Sequence, residues 1–397
     1  MALSKTDRRR VAITGLGIIS PLGLNVEENW KNLSEGRSGI GPIKSVDCSS
    51  MRFQNGAEVR GYDPLKHFEG GKEAYIDRFA QFSVVAAREA MKDSGIELTP
   101  ELREHAAIVC GSAVGGQSAI EAGFEDLWVS GRGRVHPLTI PKTMANAGAS
   151  HISMDLGLSG PAYTVSTACS SANHAIGQAF RLVRDGDAEI AMTGGSEAIF
   201  TIGMLKAWEA MRVIAPDTCR PFSKDRRGMV LGEGGAMMVI EPMEAAKARG
   251  ANIYAEICGF GMTSDAHHLT QPAMHGPSRA MAGALREAGL APEEVGYINA
   301  HGTGTPGNDP VESAAIRDVF GMHADKIGVS STKSLHGHAL GAAGAIEAVA
   351  TVLAMRHGIL PPTANYNQPD PECDLDYIPN TPRAKQVGAA LSNSFAF

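Results

Sequence analysis

The chain has 397 residues, of which 43% are hydrophobic and 20% are charged, and its formal net charge is −7. Such a composition is typical of a globular protein with a large core, and the negative charge argues against a general nucleic-acid binder, which carries a basic surface. Six scattered cysteines without a C-x-x-C pair indicate neither a redox motif nor a zinc site. Single cysteines of this kind are typical of the reducing cytoplasm, where we expect the protein to reside.

Two apolar segments resemble targeting or membrane segments at first sight. The segment VAITGLGIIS follows three arginines, but two glycines interrupt it, Pro21 ends it, and no A-x-A cleavage site comes after it. It therefore predicts a first β-strand and not a signal peptide. The longest apolar helix, around Ala339 to Met355, is short for a membrane span and contains Glu347. It predicts a buried core helix, so we expect no membrane span.

Four blocks of sequence occur twice in the same order. The first block is an apolar strand ending in G-x-G, and the second is a helix followed by a strand that opens into a Gly-rich loop. The third is a short strand, a polar loop and an Ala-rich helix, and the fourth is a last apolar strand. The paired blocks begin at Arg10 and Ile253, at Val84 and Arg279, at Thr164 and Gly328, and at Ala188 and Gln386. The repeat predicts two similar α/β halves, residues 1–258 and 259–397, each with a mixed sheet covered by helices.

The duplication also predicts where a site would form. In sheets of this kind, sites collect at the carboxyl ends of strands, and the loops after the paired strands hold Cys169, His301, Lys333 and His338. We therefore expect one central site built from both halves. In the first half a further strand, AMMVIEP, follows the last shared block, whereas the second half ends at Phe397. We expect this final strand to be missing from the chain.

Cys169 lies in the segment S-T-A-C-S-S, directly before a predicted helix. Apolar residues recur after it at helical spacing, and Gly186 is a plausible end of that helix. The positive end of the helix dipole favours a thiolate, which is the nucleophilic form. A small buried structural cysteine is the alternative, but the polar turn and the two well-placed histidines favour a nucleophile.

Two histidines and a lysine follow in the second half. His301 opens H-G-T-G-T after an apolar strand, and His338 begins the Ala-rich helix. Such a pair suits a reaction that needs hydrogen-bond donors to a developing enolate. A buried Lys333 would favour a nearby thiolate by its charge. The segment from Ser330 to Lys333 also fits the S-x-x-K motif of serine acyl-enzymes, but no K-T-G accompanies it.

The remaining signals are weaker. We interpret the other histidines near these motifs as structural: His336, His267, His268 and His275. The segment G-L-G-I-I-S lacks the third glycine of a dinucleotide fingerprint, and neither a P-loop nor H-E-x-x-H is present. Nothing therefore indicates a metal or a redox cofactor.

Together these motifs resemble those of the β-ketoacyl-acyl-carrier-protein synthases, type II branch. The resemblance rests on T-A-C-S-S, H-G-T-G-T, S-T-K-S with G-H, and the terminal N-S-F-A-F, and it covers essentially the whole chain. It implies the thiolase fold, a duplicated α-β-α-β-α five-layer sandwich with mixed central sheets. The His–His pair matches the elongating class, since thiolases have a second cysteine and initiating synthases have His and Asn.

The resemblance implies a role for each matching residue. Cys169 would be the acyl-accepting nucleophile, and His301 and His338 would promote malonyl decarboxylation and stabilise the enolate. Lys333 would be a supporting residue, paired with Glu312. Phe397 would be the gate, with its N–H and that of Cys169 as the oxyanion hole. The positions expected to contact the substrate are Val114 at the acyl pocket, Thr303 and Thr305 at the phosphopantetheine arm, and Thr270.

The implied activity is a decarboxylative Claisen condensation of an acyl group on Cys169 with malonyl carrier protein. The family needs no cofactor of its own, because the phosphopantetheine arrives on the acyl carrier protein. Members are dimers, and a heterodimer is compatible with the sequence. Since carrier proteins are acidic, we expect a basic docking patch formed by Lys66, Lys72, Arg132, Arg134 and Arg212.

Two departures from the family pattern leave the pathway open. No Gly-Gly stretch or strand follows Phe397, and the residues after Cys169 read S-S-A-N-H, closer to specialised synthases of nodulation or polyketide pathways than to housekeeping enzymes. Both fatty acid elongation and a dedicated pathway stay possible interpretations. The alternatives are a non-catalytic or partner-dependent subunit like a chain-length factor, which Cys169 disfavours, and a hydrolase that uses the same cysteine.

Overall fold

The computed structural model describes residues 8–396. Its strands are β1 (Val11–Ile19), β2 (Gly41–Pro42), β3 (Asn55–Gly56), β4 (Ala106–Gly111), β5 (Ala162–Val165), β6 (Ile190–Glu197), β7 (Gly234–Pro242), β8 (Ala255–Ile257), β9 (Val295–Asn299), β10 (Gly328–Ser330), β11 (Ile359–Leu360), β12 (Arg383–Ala384) and β13 (Ala389–Ser392). Its α-helices are α1 (Val26–Ser34), α2 (Arg78–Ser94), α3 (Pro100–Glu104), α4 (Gln117–Phe124), α5 (Thr139–Thr143), α6 (Ala147–Leu156), α7 (Ser171–Asp185), α8 (Ile202–Met211), α9 (Met243–Ala248), α10 (His275–Ala288), α11 (Asn308–Phe320), α12 (Lys333–His336) and α13 (Ala343–His357).

Two main sheets organise the chain. The first has the strand order β5-β4-β6-β7-β1-β8, with β4 parallel to β5 and β6, and the other neighbours antiparallel. The second has the order β10-β9-β13 and is parallel throughout. By the repeated blocks, β10, β9 and β13 correspond to β5, β4 and β6. The matching strands therefore occur in the same order and direction in both sheets, as the duplication predicts.

The helices and sheets stack in five layers. One face of the first sheet packs against α2 and α6, and its other face packs against α7 and α13. Helix α13 also contacts the second sheet, whose far side carries α10 and α11. The layer order is thus α-β-α-β-α, and the predicted five-layer sandwich is confirmed. The middle layer consists of the two Ala-rich helices that follow the paired polar loops.

Local sequence signals account for several element boundaries. The segment read as a first strand forms β1, which is buried along its whole length. Helix α7 ends at Gly186, where φ is +86°, a left-handed conformation that favours glycine. The apolar helix around Glu347 forms α13 and lies in the core. Among the described residues, no helix has the length and hydropathy needed to cross a bilayer.

The strand that the repeat equates with β1 has an unexpected neighbour. Strand β8 pairs with β1 itself, with Val11 opposite Ile257 in antiparallel register. The expected boundary at residue 258 comes directly after this strand. A division of the chain into halves at that point stays a prediction.

Helix α2 lies directly on the backbone of β1, which makes Gly17 a sensitive position. A Cβ atom at Gly17 would lie 2.0 Å from the carbonyl oxygen of Ala86 and 2.7 Å from the amide nitrogen of Ala90. We expect Gly17→Ala to lower the free energy of unfolding by about 1–3 kcal/mol, because the helix must move off the strand. Urea denaturation measures this, with Gly388→Ala as the control, since a Cβ there meets nothing within 4 Å. Equal losses in the two variants would contradict the close packing.

Candidate active site

Cys169 lies in a tight turn between β5 and α7, and only 5% of its surface is exposed. Ala168 before it has φ of +47°, a left-handed conformation that is strained for a residue with a side chain. The turn ends at Ser171, the first residue of α7, so the thiol is next to the helix N-terminus. The side chain of Ser170 donates a hydrogen bond to the Ser394 carbonyl, 3.0 Å away, which connects this turn to the end of the second half.

His338 is held against the thiol by its own backbone and ring contacts. Its amide donates to the Val230 carbonyl at 2.7 Å, and its Nε2 lies 3.2 Å from the Sγ of Cys169. The amide of Leu340 donates to its Nδ1 at 3.2 Å. Because Nδ1 accepts this bond, the neutral ring carries its proton on Nε2. His338 therefore presents an N–H donor at the nucleophile.

His301 completes the group from the end of β9. It is 3% exposed, and its ring lies 5.4 Å from that of His338, centre to centre, at an interplanar angle of 83°. Burial, with the positive charge of Lys333, lowers the pKa of both histidines well below 6.5. Both rings are therefore neutral at physiological pH. Their Nδ1 atoms differ, since that of His301 has no hydrogen-bond partner among residues 8–396.

Lys333 pairs with a different carboxylate from the one expected. Its Nζ forms a fully buried ion pair with Glu347 of α13. Glu312 instead accepts hydrogen bonds from the amides of His301 and Gly302, at 2.8 and 2.7 Å, and from the side chain of Asn393. The prediction that Glu312 is the partner is wrong in this structure, because the loop amides already occupy its oxygens. Burial raises the pKa of Glu347 to about 7, although the ammonium group opposes the shift.

The ionisation of Cys169 also differs from the sequence-based expectation. Burial raises the pKa of its thiol to about 12, while the charge of Lys333 and the residue's own N–H act in the opposite direction. The helix N-terminus alone predicted a thiolate. Exclusion of solvent outweighs that local effect, so the resting side chain is a neutral thiol.

The three side chains also form a possible set of metal ligands. One donor atom each of Cys169, His301 and His338 lie within 4.8 Å of one another, and all three residues are buried. A metal would need the Nε2 lone pair of His338, yet the Leu340 amide fixes a proton on that nitrogen. The arrangement fits a negatively charged oxygen better than a cation.

A cleft of about 940 Å³ leads to this group. Its walls include Thr303, Thr305 and Thr270, and the hydroxyl groups of the first two lie 2.8 Å apart. Val114 does not line this cleft but packs against the apolar cluster that contains Cys169. The cleft is also lined by Ser394, Phe395 and Ala396. Phe397, the predicted gate, lies outside the described residues.

The structure also shows the surroundings of the residues predicted to dock the carrier protein and of the remaining histidines. The basic side chains assigned to docking are all exposed: Lys66, Lys72, Arg132, Arg134 and Arg212. Of these, Arg132 pairs with Asp126 at 2.8 Å. His336 is buried and hydrogen-bonded through both ring nitrogens, in agreement with a structural role. The exposed His267 and His268 belong to the cleft wall, and the exposed His275 begins α10.

Sequence analysis assigned no role to several residues of this site. Glu197, Glu347, Asn393 and Phe395 contact or surround the loops that carry the reactive groups. Asn393 and Phe395 belong to the N-S-F-A-F segment that supports the resemblance, and Glu347 gave a signal because a single carboxylate inside an apolar helix requires a buried cation. Ser330 of the S-x-x-K alternative shares a 2.9 Å hydrogen bond with Tyr297, and Lys333 points to Glu347. That alternative therefore lacks its base.

Comparison with known proteins gives a consistent result over almost the whole chain. The family model "Beta-ketoacyl synthase, N-terminal domain" matches residues 8–246, and "Beta-ketoacyl synthase, C-terminal domain" matches residues 254–367. Nodulation protein E of Rhizobium sp. (strain N33) is 48% identical over 98% of this chain and 96% of its own. The 3-oxoacyl-[acyl-carrier-protein] synthase 2 of Coxiella burnetii is 44% identical, with the same two coverages.

The fold agrees with a solved structure of the same kind. The ishigamide ketosynthase/chain length factor superposes with a TM-score of 0.93 at 37% identity, covering 98% of this chain and 96% of that one. The thiolase fold expected from the sequence is thereby confirmed.

The charge of Lys333 gives a prediction for the reactivity of Cys169. We expect the double variant Lys333→Met/Glu347→Gln, which leaves no unpaired buried charge, to raise the pKa of Cys169. Because the thiolate is the reacting species, alkylation by iodoacetamide at pH 8 should slow by about tenfold for each pKa unit. Peptide mass spectrometry follows Cys169 separately from the exposed Cys258.

The matched control is Lys326→Met, which removes an exposed lysine. An unchanged alkylation rate in the double variant would show that Lys333 does not act on the thiol.

Proposed function

This chain belongs to the β-ketoacyl synthase family, and from that premise we propose that Cys169 carries the acyl group while His301 and His338 hold the malonyl thioester. The enzyme is a condensing acyltransferase that makes β-ketoacyl carrier protein, and the phosphopantetheine arm belongs to the acyl carrier protein. One observation carries the assignment of residues: the Nε2 of His338, with its proton fixed by the Leu340 amide, lies 3.2 Å from the Cys169 thiol.

The first half-reaction moves an acyl group onto Cys169. A bond forms between Sγ and the acyl carbon, the thioester bond to the carrier breaks, and the thiol proton leaves with the carrier's sulfur. Since the resting thiol is neutral, transfer of its proton is part of this step. The buried setting keeps water away from the resulting thioester, which favours condensation over hydrolysis.

The second half-reaction consumes the malonyl carrier. The neutral rings of His338 and His301 donate to the malonyl thioester oxygen, His338 through its Nε2–H, and this oxygen takes up negative charge when the bond to the carboxylate breaks and carbon dioxide leaves. The enolate carbon then attacks the Cys169 thioester, and the cysteine sulfur departs as a thiolate, which takes up a proton to restore the resting thiol. The amide of Cys169 stabilises the oxyanion of this step. The product is a β-ketoacyl chain two carbons longer.

The substrate arm and the acyl chain occupy different surroundings. Thr303, Thr305 and Thr270 line the open cleft, which suits hydrogen bonding to a phosphopantetheine arm. Val114 packs beside Cys169 in an apolar cluster with Leu340 and Phe200, which suits an acyl chain. The site uses both predicted halves, residues 1–258 for the nucleophile and 259–397 for the His/Lys/His motifs.

We further propose that the enzyme serves a dedicated pathway. The S-S-A-N-H segment after the nucleophile differs from housekeeping members, and the identity to nodulation protein E, 48%, exceeds that to the synthase 2, 44%. The proposed assembly is a dimer, either with a second copy, as the family resemblance implies, or with a chain-length-factor-like subunit, as in the ketosynthase/chain length factor structure.

Cys169→Ala is expected to abolish condensation, because it removes the thiol that lies beside His338 and carries the acyl group. It should still decarboxylate malonyl carrier protein, since that step uses the two histidines. Intact-mass analysis after incubation with acyl carrier proteins of different chain lengths measures the adduct, and the accepted chains identify the pathway. Cys258→Ser removes an exposed cysteine as the control. Condensation at the wild-type rate by Cys169→Ala would refute the assignment.

Charge reversal tests the docking patch. We expect Lys66→Glu/Arg212→Glu to raise KM for acyl carrier protein roughly tenfold and to reduce its dependence on ionic strength, because acidic carriers lose their attraction. The rate with an acyl-pantetheine substrate should not change. Lys31→Glu, an exposed lysine on α1, is the control. If KM and its salt dependence stay at wild-type values, the patch lies elsewhere.

A further inference from the structure

Glu197 is a buried carboxylate for which neither half-reaction has a use. We infer that it is a positioning residue, which aligns the acyl-pocket loop of the first half with the His338 loop of the second half on either side of Cys169. The inference rests on the proposed function and adds to it a residue that controls chain-length specificity and enolate stabilisation without contacting the substrate.

Four hydrogen bonds converge on this carboxylate. It is the last residue of β6 and is 0% exposed. One oxygen, Oε1, accepts from the Ser112 hydroxyl at 2.9 Å and from the Val114 amide at 3.3 Å. The other, Oε2, accepts from the Ala113 amide at 2.7 Å and from the Gly341 amide at 3.1 Å. One side chain thus joins two loops that are more than two hundred residues apart in the chain.

Each of the two loops contains a residue that packs in the cluster with Cys169 or fixes the ring of His338. The first contains Val114, which packs against the apolar cluster that includes Cys169. The second contains Leu340, whose amide holds the Nδ1 of His338 and so fixes the proton on Nε2. Leu340 has φ of +44°, a strained conformation that persists only when its surroundings hold it. The hydrogen bond that the amide of the next residue, Gly341, donates to Glu197 supplies such a constraint.

A side chain does not fit at Gly341 unless the neighbouring atoms move. A Cβ atom there would lie 2.3 Å from the Ala113 amide nitrogen and 2.5 Å from the Oε2 of Glu197. The two loops and the carboxylate are therefore in direct contact, and separating them must displace either Val114 or Leu340.

The chemistry of the acceptors distinguishes two substitutions. Glu197→Gln retains one carbonyl oxygen, which can accept from Ala113 and Gly341, while its NH₂ group faces the Ser112 hydroxyl, a possible acceptor. It should therefore keep the contact between the loops and lose only the bond from Val114. Glu197→Ala removes all four acceptors and leaves buried amides unpaired.

The experiment measures condensation and Cys169 alkylation in the full chain. We expect Glu197→Ala to lower kcat for condensation about 100-fold, the cost of a displacement of about 1 Å at a reacting group, and to alter the order of preferred acyl lengths. Glu197→Gln should stay within about fivefold of wild type in kcat, as the conservative rescue. Burial raises the pKa of Glu197 to about 7, so its negative charge is largely present only above that pH. Both variants remove this charge near the thiol and should speed alkylation of Cys169 at pH 8.

Gly341→Ala distinguishes the effect of loop position from the effect of the Glu197 charge. It leaves the carboxylate in place but forces the loops apart, so it should reduce kcat as Glu197→Ala does without speeding alkylation. Glu241→Gln is the control, because Glu241 is another buried carboxylate and lies near the far end of β7, the strand that pairs with β6. It should leave both kcat and the alkylation rate at wild-type values. Thermal unfolding of every variant identifies any that fail to fold, and Gly341→Ala and Glu197→Gln keep the test decisive if Glu197→Ala is one of them.

Wild-type kcat and chain preference in both Glu197→Ala and Gly341→Ala would overturn the inference. Loss of activity in Glu197→Gln equal to that in Glu197→Ala would also overturn it, because the contact between the loops would then not be what matters. Failure of the wild-type enzyme to form an acyl adduct would instead refute the proposed function.

Discussion

A single ion pair, between Lys333 and Glu347, sets the electrostatics of the site. Both groups are fully buried, and removing one partner of such a pair typically costs about 3–5 kcal/mol because the other charge is left without compensation. The ammonium group faces a cluster of two histidines and a cysteine, and its charge lowers the pKa of all three. It therefore keeps the histidines as neutral donors while it eases ionisation of the thiol. A neutral residue at position 333 could not do both.

In both halves a buried carboxylate accepts hydrogen bonds from the backbone amides of a loop. After β4 and after β9 the chain turns through a buried loop whose amides need acceptors that water cannot supply. Glu197 serves the first loop and Glu312 serves the second, each by accepting from two successive amides. The loops can thus stay rigid in an interior that excludes solvent. Duplication supplied two such loops, and the nucleophile lies between them.

Much of the architecture followed from patterns in the sequence. Apolar blocks repeated in order predicted corresponding strands and the two central helices, and the turn before α7 indicated the nucleophile, because these depend on local spacing. The partner of Lys333 did not follow, since Glu312 and Glu347 both lie on helices of the second half and only packing decides which one faces inward. The protonation of Cys169 was missed for a related reason, because burial is a property of the assembled fold. Glu197 is the last residue of β6, and the sequence around it, TGGSE, did not indicate that its carboxylate contacts two loops.

The separation of the reactive groups along the chain has a consequence for how the protein folds. Cys169 and His338 are 169 positions apart, and no short-range contact brings them together. Folds dominated by such distant contacts form slowly, because closing long loops costs conformational entropy before the contacts compensate for it. Until the second half docks, the cysteine has neither histidine beside it, and it lacks the burial that raises the pKa of its thiol to about 12 in the folded protein. The thiol of a partly synthesised or partly folded chain is therefore more easily ionised than that of the native enzyme, yet it has no histidine pair beside it for the condensation.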